Sequence, residues 1–231
     1  MIKIYRADKL GKSDLGWLKS KYHFSFANYY NPKRIHFGNL RVINDDLISP
    51  NAGFEMHPHK DMEIISYVIS GELTHQDSMG NKRALKRGEV QYMSAGTGVL
   101  HSEHNLGGKA TRLLQLWIFP SQKDLEPNYG DKNYKWEDRI NKLLPIVSSP
   151  VGEAQVKINQ DANIFVSYLE AKQKIHFKIA NNRQVYLVQI EGSSILNSVN
   201  IYEGDGAEIR DEDLHIRAKG NSHFMLIDIP K

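Results

Sequence analysis

The chain has 231 residues, 40% of them hydrophobic, enough to fill the core of one large β domain or of two ordinary ones. Its 30 basic and 27 acidic side chains leave a net charge of +3 with no long basic run, so charge gives nucleic-acid binding no support. With no cysteine, disulfides and thiolate metal sites are excluded, and any metal must be held by nitrogen and oxygen ligands.

Taken in chain order, the N-terminal "MIKIYRADKLGKSD" turns polar within a few residues, and no apolar stretch approaches membrane-spanning length, which points to a soluble cytoplasmic protein. "DLGWLKS" follows a plausible Asp or Ser cap and predicts a short helix. Short apolar, β-branched or aromatic segments come next, broken by Gly, Asn, Asp and Pro: "EIISYVIS", "EVQYMS" and "TRLLQLWIFP". The polar stretch "PSQKDLEPNYGDKNYKWED" reads as a connection between two halves, and "KWEDRINKLL" as a second helix ending near Pro145. "IFVSYLE", "QVYLVQIEG" and "HFMLIDIP" complete a pattern of many short strands with frequent turns, which predicts a mainly β sandwich or barrel fold.

The halves repeat faintly. A hydrophobic run ends at Gly71 and a later hairpin centres on Gly88; in the second half the same sequence of events falls at Gly192 and Gly204. One supersecondary unit used twice predicts two tandem β-barrels, residues 1–120 and, after a linker, 121–231.

The chemistry concentrates in "FEMHPHKDMEIISYV" and "GTGVLHSEHN". Side chains alternate along a strand, so His57 and His59 share one face and Pro58 takes the other, and the proline places the pair at a strand start, an edge or a bulge. In the same way His101 and Glu103 share a face, while Ser102 and His104 take the opposite one. A single H-x-H is more often a surface or turn feature than a ligand pair. Two such pairs bordered by glycine-rich turns suit Fe(II), Mn, Ni, Cu or Zn with open coordination positions. His75 either lines the same cavity or, the preferred assignment, merely precedes the turn at Met79 to Asn81. His23, His36, His176, His215 and His223 have no partner at ligand spacing and are assigned structural or surface roles.

At these residues the sequence resembles the cupin superfamily, through His57, His59, Glu63 and Gly71 and then Gly88, Gly96, His101 and Asn105. Gly53 stands closer to His57, and Gly96 farther from His101, than in general cupin motifs. Both departures match the pirin family, whose stretches look like "GFEMHPHKDMEIISYVISGELTHQDSMGN" and "GEVQYMSAGTGVLHSEHN". The likeness covers Asp14 to Pro120 and continues loosely through "LEPNY" and "LLPIVSSP"; "HKDMEI" and "HQDSMGN" resemble the bacterial quercetinase-type branch.

The resemblance implies a bicupin, two tandem jelly-roll barrels with few short helices, holding one divalent transition metal in the N-terminal barrel. Carried over by position, the ligands are His57, His59, His101 and Glu103, with Fe(II) favoured and Ni, Mn, Co, Cu or Zn within the donor set's range. Glu63 competes with Glu103 for the fourth place. Glu103 is preferred, and Glu63 is left as a group that orients an imidazole. Counting from the repeated glycines puts Lys178, Ala180, Gln184, Arg217 and Lys219 at the corresponding places of the second barrel, which is therefore expected to hold no metal.

The activity implied is a quercetin 2,3-dioxygenase: O₂ opens a flavonol's heterocycle with release of carbon monoxide, and Glu103 accepts the 3-hydroxyl proton. Aromatic and Met side chains supply the walls for the planar substrate, with Phe54 and Met56 expected on the face opposite the ligands. The expected partners are a flavonol-like small molecule and O₂, acting on a monomer. The other class the resemblance allows is a metal-containing regulatory protein that binds a transcription factor or metabolic enzyme.

Overall fold

A computed structural model describes residues 1–231. The chain is almost wholly β, and its only helices are the 3-10 turns Ala7–Lys9 and Trp136–Arg139. No helix is long and apolar enough to cross a membrane.

Neither predicted helix forms as such. Around "DLGWLKS", Leu18–Tyr22 is a strand with Leu18, Ser20 and Tyr22 buried and the two lysines between them turned outward. This period of two outweighs the cap signal. Asp14 takes the backbone N–H of Gly16 at 2.9 Å, so it makes a turn rather than a helix cap. The second candidate is a single turn at Trp136–Arg139, followed by Asn141 at φ 56 and the strand Leu144–Ser148.

The N-terminal unit comprises residues 11–134 with Ile158–Gln160. Its seven-stranded sheet runs in the spatial order Asn128–Lys132, Val90–Ser94, Glu63–Ser70, Thr111–Ile118, Leu40–Ile48, Leu18–Tyr22, Gly11–Asp14. A four-stranded sheet, Ala52–His59, Val99–Asn105, Glu72–Asp77, Lys82–Lys86, supplies the other wall. Leu18, Ile48, Val68 and Leu113 of the first sheet pack with Leu73 and Leu85 of the second.

Beyond this apolar cluster the inward row turns polar. Asn44 pairs in register with Gln115, Gln115 with Ser66, and Ser66 with Gln91, so four polar side chains cross four neighbouring strands.

The C-terminal unit comprises residues 1–10, 135–157 and 161–231 and is built on a nine-stranded sheet. Its interior is aliphatic, with Val185, Leu187, Ile209, Ile216 and Leu226 fully or almost fully buried. The division expected at residue 120 is displaced, because strand pairing and not chain order decides membership. Ile2–Tyr5 pairs with Gly206–Arg210, and Asn128–Lys132, inside the supposed linker, pairs with Val90–Ser94.

The repeat is visible in the backbone. Gly71 and Gly192 sit at φ 78 and φ 73, and a Cβ on either would meet a backbone carbonyl, that of Ala110 just before the adjoining strand at 2.8 Å or that of Asn221 within it at 2.0 Å. Only glycine fits such a position. At the places counted from these glycines, Gln184 donates to the Pro230 carbonyl and Lys219 to the side chain of Asn200.

Candidate metal centre

His57 and His101 face each other across antiparallel strands. Their ring centroids lie 4.5 Å apart, and each lies 4.9 Å from that of His59. The strand Ala52–His59 is the edge of its sheet, which is why Pro58 is tolerated between the two histidines. His57 donates from Nδ1 to the Glu55 carbonyl at 2.7 Å, which leaves Nε2 available to a metal ion. Burial, reinforced by the neighbouring imidazoles, pushes His59 down to about 4 and His101 down to about 3. Both are therefore neutral at physiological pH, the form that ligates metals.

A bulge sets what stands beside them. His101 pairs with His57, but Glu103 pairs with Phe54, so one extra residue of the first strand is taken up between them. The bulge returns Phe54 to the inward face, where it lines the cavity with its ring 6.2 Å from that of His57. The expectation that Phe54 faces away is thus corrected, because simple alternation does not survive a bulge. Met56 is exposed, as expected.

Glu103 is buried, and its carboxylate receives three neutral donors. Ser66 Oγ and Gln91 Nε2 bond Oε1 at 2.9 and 2.7 Å, and Gln115 Nε2 bonds Oε2 at 2.6 Å. Each amide is oriented in turn from its oxygen end, Gln91 by the Tyr129 hydroxyl and Gln115 by the Trp117 indole N–H, both at 3.2 Å. The atoms able to ligate a metal form two overlapping groups, His57/His59/His101 and His75/His101/Glu103, each drawn within 4.8 Å with His101 common to both.

His75 joins the second of these groups and is not just a residue before a turn. It is fully buried, pairs across strands with Glu103, donates from Nε2 to Asp77 at 3.0 Å and stacks on Tyr129 at 4.6 Å. Glu63 lies in neither group. It accepts from Ser94 Oγ at 2.6 Å and from the Asn159 backbone N–H at 3.0 Å, so it anchors a loop and orients no imidazole.

A cavity of about 200 Å³ opens beside His57, His59 and Glu103. Phe26, Phe54 and Trp117 give it aromatic walls, with Trp117 edge-on to His59 at 4.9 Å, and no methionine lines it. Ser20, Asn44, Asp46 and Gln115 make one side polar. Burial pushes the Asp46 carboxyl up to about 7, against a bond from Ser20 that favours the charged form. Asn44, Asp46, Tyr129 and the two glutamines escaped the sequence reading, though "INDD" interrupting an apolar strand was a signal that could have found the first two.

The remaining histidines stand apart. His104 reaches Glu55 at 3.2 Å, His36 bonds the Gly38 carbonyl, and His176 stacks on His215 at 4.4 Å. His23 is buried, with its carbonyl accepting from Arg34, and His223 meets Glu191 at 2.9 Å. Neutral imidazoles, a buried carboxylate and a buried His101 Nδ1 without a hydrogen-bond partner fit one divalent metal ion.

Residues 4–118 match the family model described as Pirin, and residues 146–229 the one described as Quercetinase C-terminal cupin domain. The chain is 40% identical over 233 residues to a quercetin 2,3-dioxygenase of Escherichia coli K12, covering 100% of this chain and 99% of that one. It is 43% identical over 223 residues to a pirin-like protein of Caulobacter vibrioides, covering 96% of each. Among solved structures, the bacterial pirin YhhW of Escherichia coli in complex with nickel(II) superposes with a TM-score of 0.94 at 38% identity, covering 100% of this chain and 99% of that one.

Proposed function

The chain belongs to the pirin family, and from that premise we propose that it is a metal-dependent dioxygenase of the quercetin 2,3-dioxygenase type, with His57, His59, His101 and Glu103 as the metal ligands. The observation that carries this reading is the convergence of three imidazoles, two of them held neutral by burial, and a hydrogen-bonded carboxylate at a cavity with aromatic walls. Fe(II) is the first choice of metal, and the nickel complex of the similar YhhW supports Ni(II) as the second. When bound, such an ion supplies Lewis acidity and open positions for a bidentate oxygen ligand.

The protein's own groups do the rest. Phe26, Phe54 and Trp117 take the flat faces of the substrate and exclude water from the edge that reacts. Glu103 accepts the proton of the flavonol 3-hydroxyl, exchanging one of its three protein donors for the substrate's. Gln91 and Gln115, fixed from behind by Tyr129 and Trp117, keep its oxygens in place throughout. Ligand pockets typically run from about 300 Å³ upward, so the cavity of about 200 Å³ takes the reacting edge with the ring hydroxyls nearest it and leaves the rest of a three-ring substrate outside.

The test is anaerobic loading with Fe(II), Ni(II), Mn(II), Co(II) or Cu(II), then admission of air with quercetin present, measuring quercetin loss and carbon monoxide. Turnover with one of these metals that collapses in Glu103→Ala supports the reading. Stoichiometric metal uptake without carbon monoxide from any preparation removes it.

A further inference from the structure

We propose that Asn44 and Asp46 are the substrate-recognition residues of this cavity, a pair of hydrogen-bond acceptors that takes ring hydroxyls of a neutral, polyhydroxylated aromatic ligand. The inference rests on the dioxygenase reading for where the ligand's reacting edge lies, and adds what its other hydroxyls bind.

Both side chains line the cavity, from alternate positions on one face of the strand Leu40–Ile48. Their relative exposures are only 3% and 2%, and Oδ1 of each has no hydrogen-bond partner in the protein. Their strand also carries the fully or almost fully buried apolar residues Leu40, Val42, Ile43 and Ile48, while its other buried carboxylate, Asp45, is paired with Arg112. Leaving buried acceptors unmatched is costly, so two on one cavity wall mark the place of donors that a ligand brings.

The neighbours show that these acceptors are free of the work done beside them. In the polar row across the sheet, Ser66, Gln91 and Gln115 all turn to Glu103, and Asn44 is the member whose side chain does not join them. Asp46, which lines the cavity, receives Ser20, and its Oδ1 is left buried without a partner.

The chemistry narrows the ligand. With two carboxyl groups, Asp46 and Glu103, on its walls, the cavity disfavours phosphates and carboxylates. Its aromatic sides and small volume suit a single flat ring, and the donors that a neutral flat ring carries are hydroxyls.

The experiment is an anaerobic binding titration of the nickel-loaded chain with quercetin and with 3-hydroxyflavone, which keeps the chelating edge and has no other hydroxyl. Wild type, Asn44→Leu, Asp46→Leu and Asp46→Asn are compared after each is shown to be folded and metal-loaded. Wild type is expected to prefer quercetin by about tenfold or more, and each Leu variant to lose most of that preference, with 3-hydroxyflavone binding changed by less than about threefold. Asp46→Asn, which keeps an acceptor oxygen, retains most of it.

Equal binding of the two flavonols by wild type overturns the inference without recourse to any variant. So does a preference that survives both Leu substitutions, or no binding of either compound. Carbon monoxide release is scored separately. A hydroxyl preference without carbon monoxide leaves the recognition pair standing and removes the dioxygenase reading, whereas carbon monoxide release with an unaltered preference does the reverse.

Discussion

Trp117 donates its indole N–H to the side-chain oxygen of Gln115, two residues back on the same strand, and the amide is thereby committed to presenting its N–H to Glu103 at 2.6 Å. Groups that orient metal ligands from behind typically contribute 10–100-fold to metal affinity or activity. Gln115→Leu is expected to lower metal affinity or turnover within about that range, and Trp117→Phe by less, since the amide keeps its place and loses only its orienting bond. Metal competition with a chromophoric chelator reads both, and Trp117→Phe weaker than Gln115→Leu would contradict the relay.

Glu63 and Glu103 can be told apart directly. Glu63→Gln is expected to retain one metal per chain and to cost stability, about 1–3 kcal/mol, because Ser94 and the Asn159 N–H lose a charged acceptor. Glu103→Gln is expected to lose metal with a smaller change in the metal-free melting temperature. Metal analysis beside thermal denaturation decides, and loss of metal from Glu63→Gln would reverse the assignment.

Gly53 is set by close approach. A Cβ there would meet the Glu103 carbonyl at 2.3 Å and the His104 Cα at 2.5 Å, both backbone atoms of the strand that carries His101. Gly53→Ala should therefore shift that strand, costing about 1–3 kcal/mol and weakening metal binding together. Unchanged metal affinity in a measurably destabilised variant would show that the centre tolerates the displacement.

Binding of metal to His101 should stabilise the fold by linkage. Metal at about a hundred times its dissociation constant adds about 2.7 kcal/mol to wild type. His101→Ala should show no metal-dependent rise in melting temperature, and a rise equal to that of wild type would exclude His101 from the ligand set.

The buried His23 makes stability depend on pH. Burial lowers its folded value from 6.5 to about 3, so the unfolded chain binds the proton more readily. Its contribution is fully present above about pH 6.5 and is lost as pH falls toward 3, with a slope of at most about 1.4 kcal/mol per unit. Denaturant titrations of the metal-free chain should show a shallower decline for His23→Leu, and identical slopes would place the dependence elsewhere.

The sequence by itself determined the β class, the repeated glycines and the two strand segments bearing His57, His59, His101 and Glu103, because alternation and turn chemistry are local properties of the chain. Only the tertiary structure decided which of these side chains meet and what stands behind them. The bulge opposite Ser102 returns Phe54 to the cavity, and strand pairing brings Tyr129 from a supposed linker to the back of Gln91. Cross-strand register assembles Asn44, Gln115, Ser66 and Gln91 from four distant segments. No periodicity along one strand encodes the offset of its neighbour, and in a barrel that offset is what fixes the inner surface.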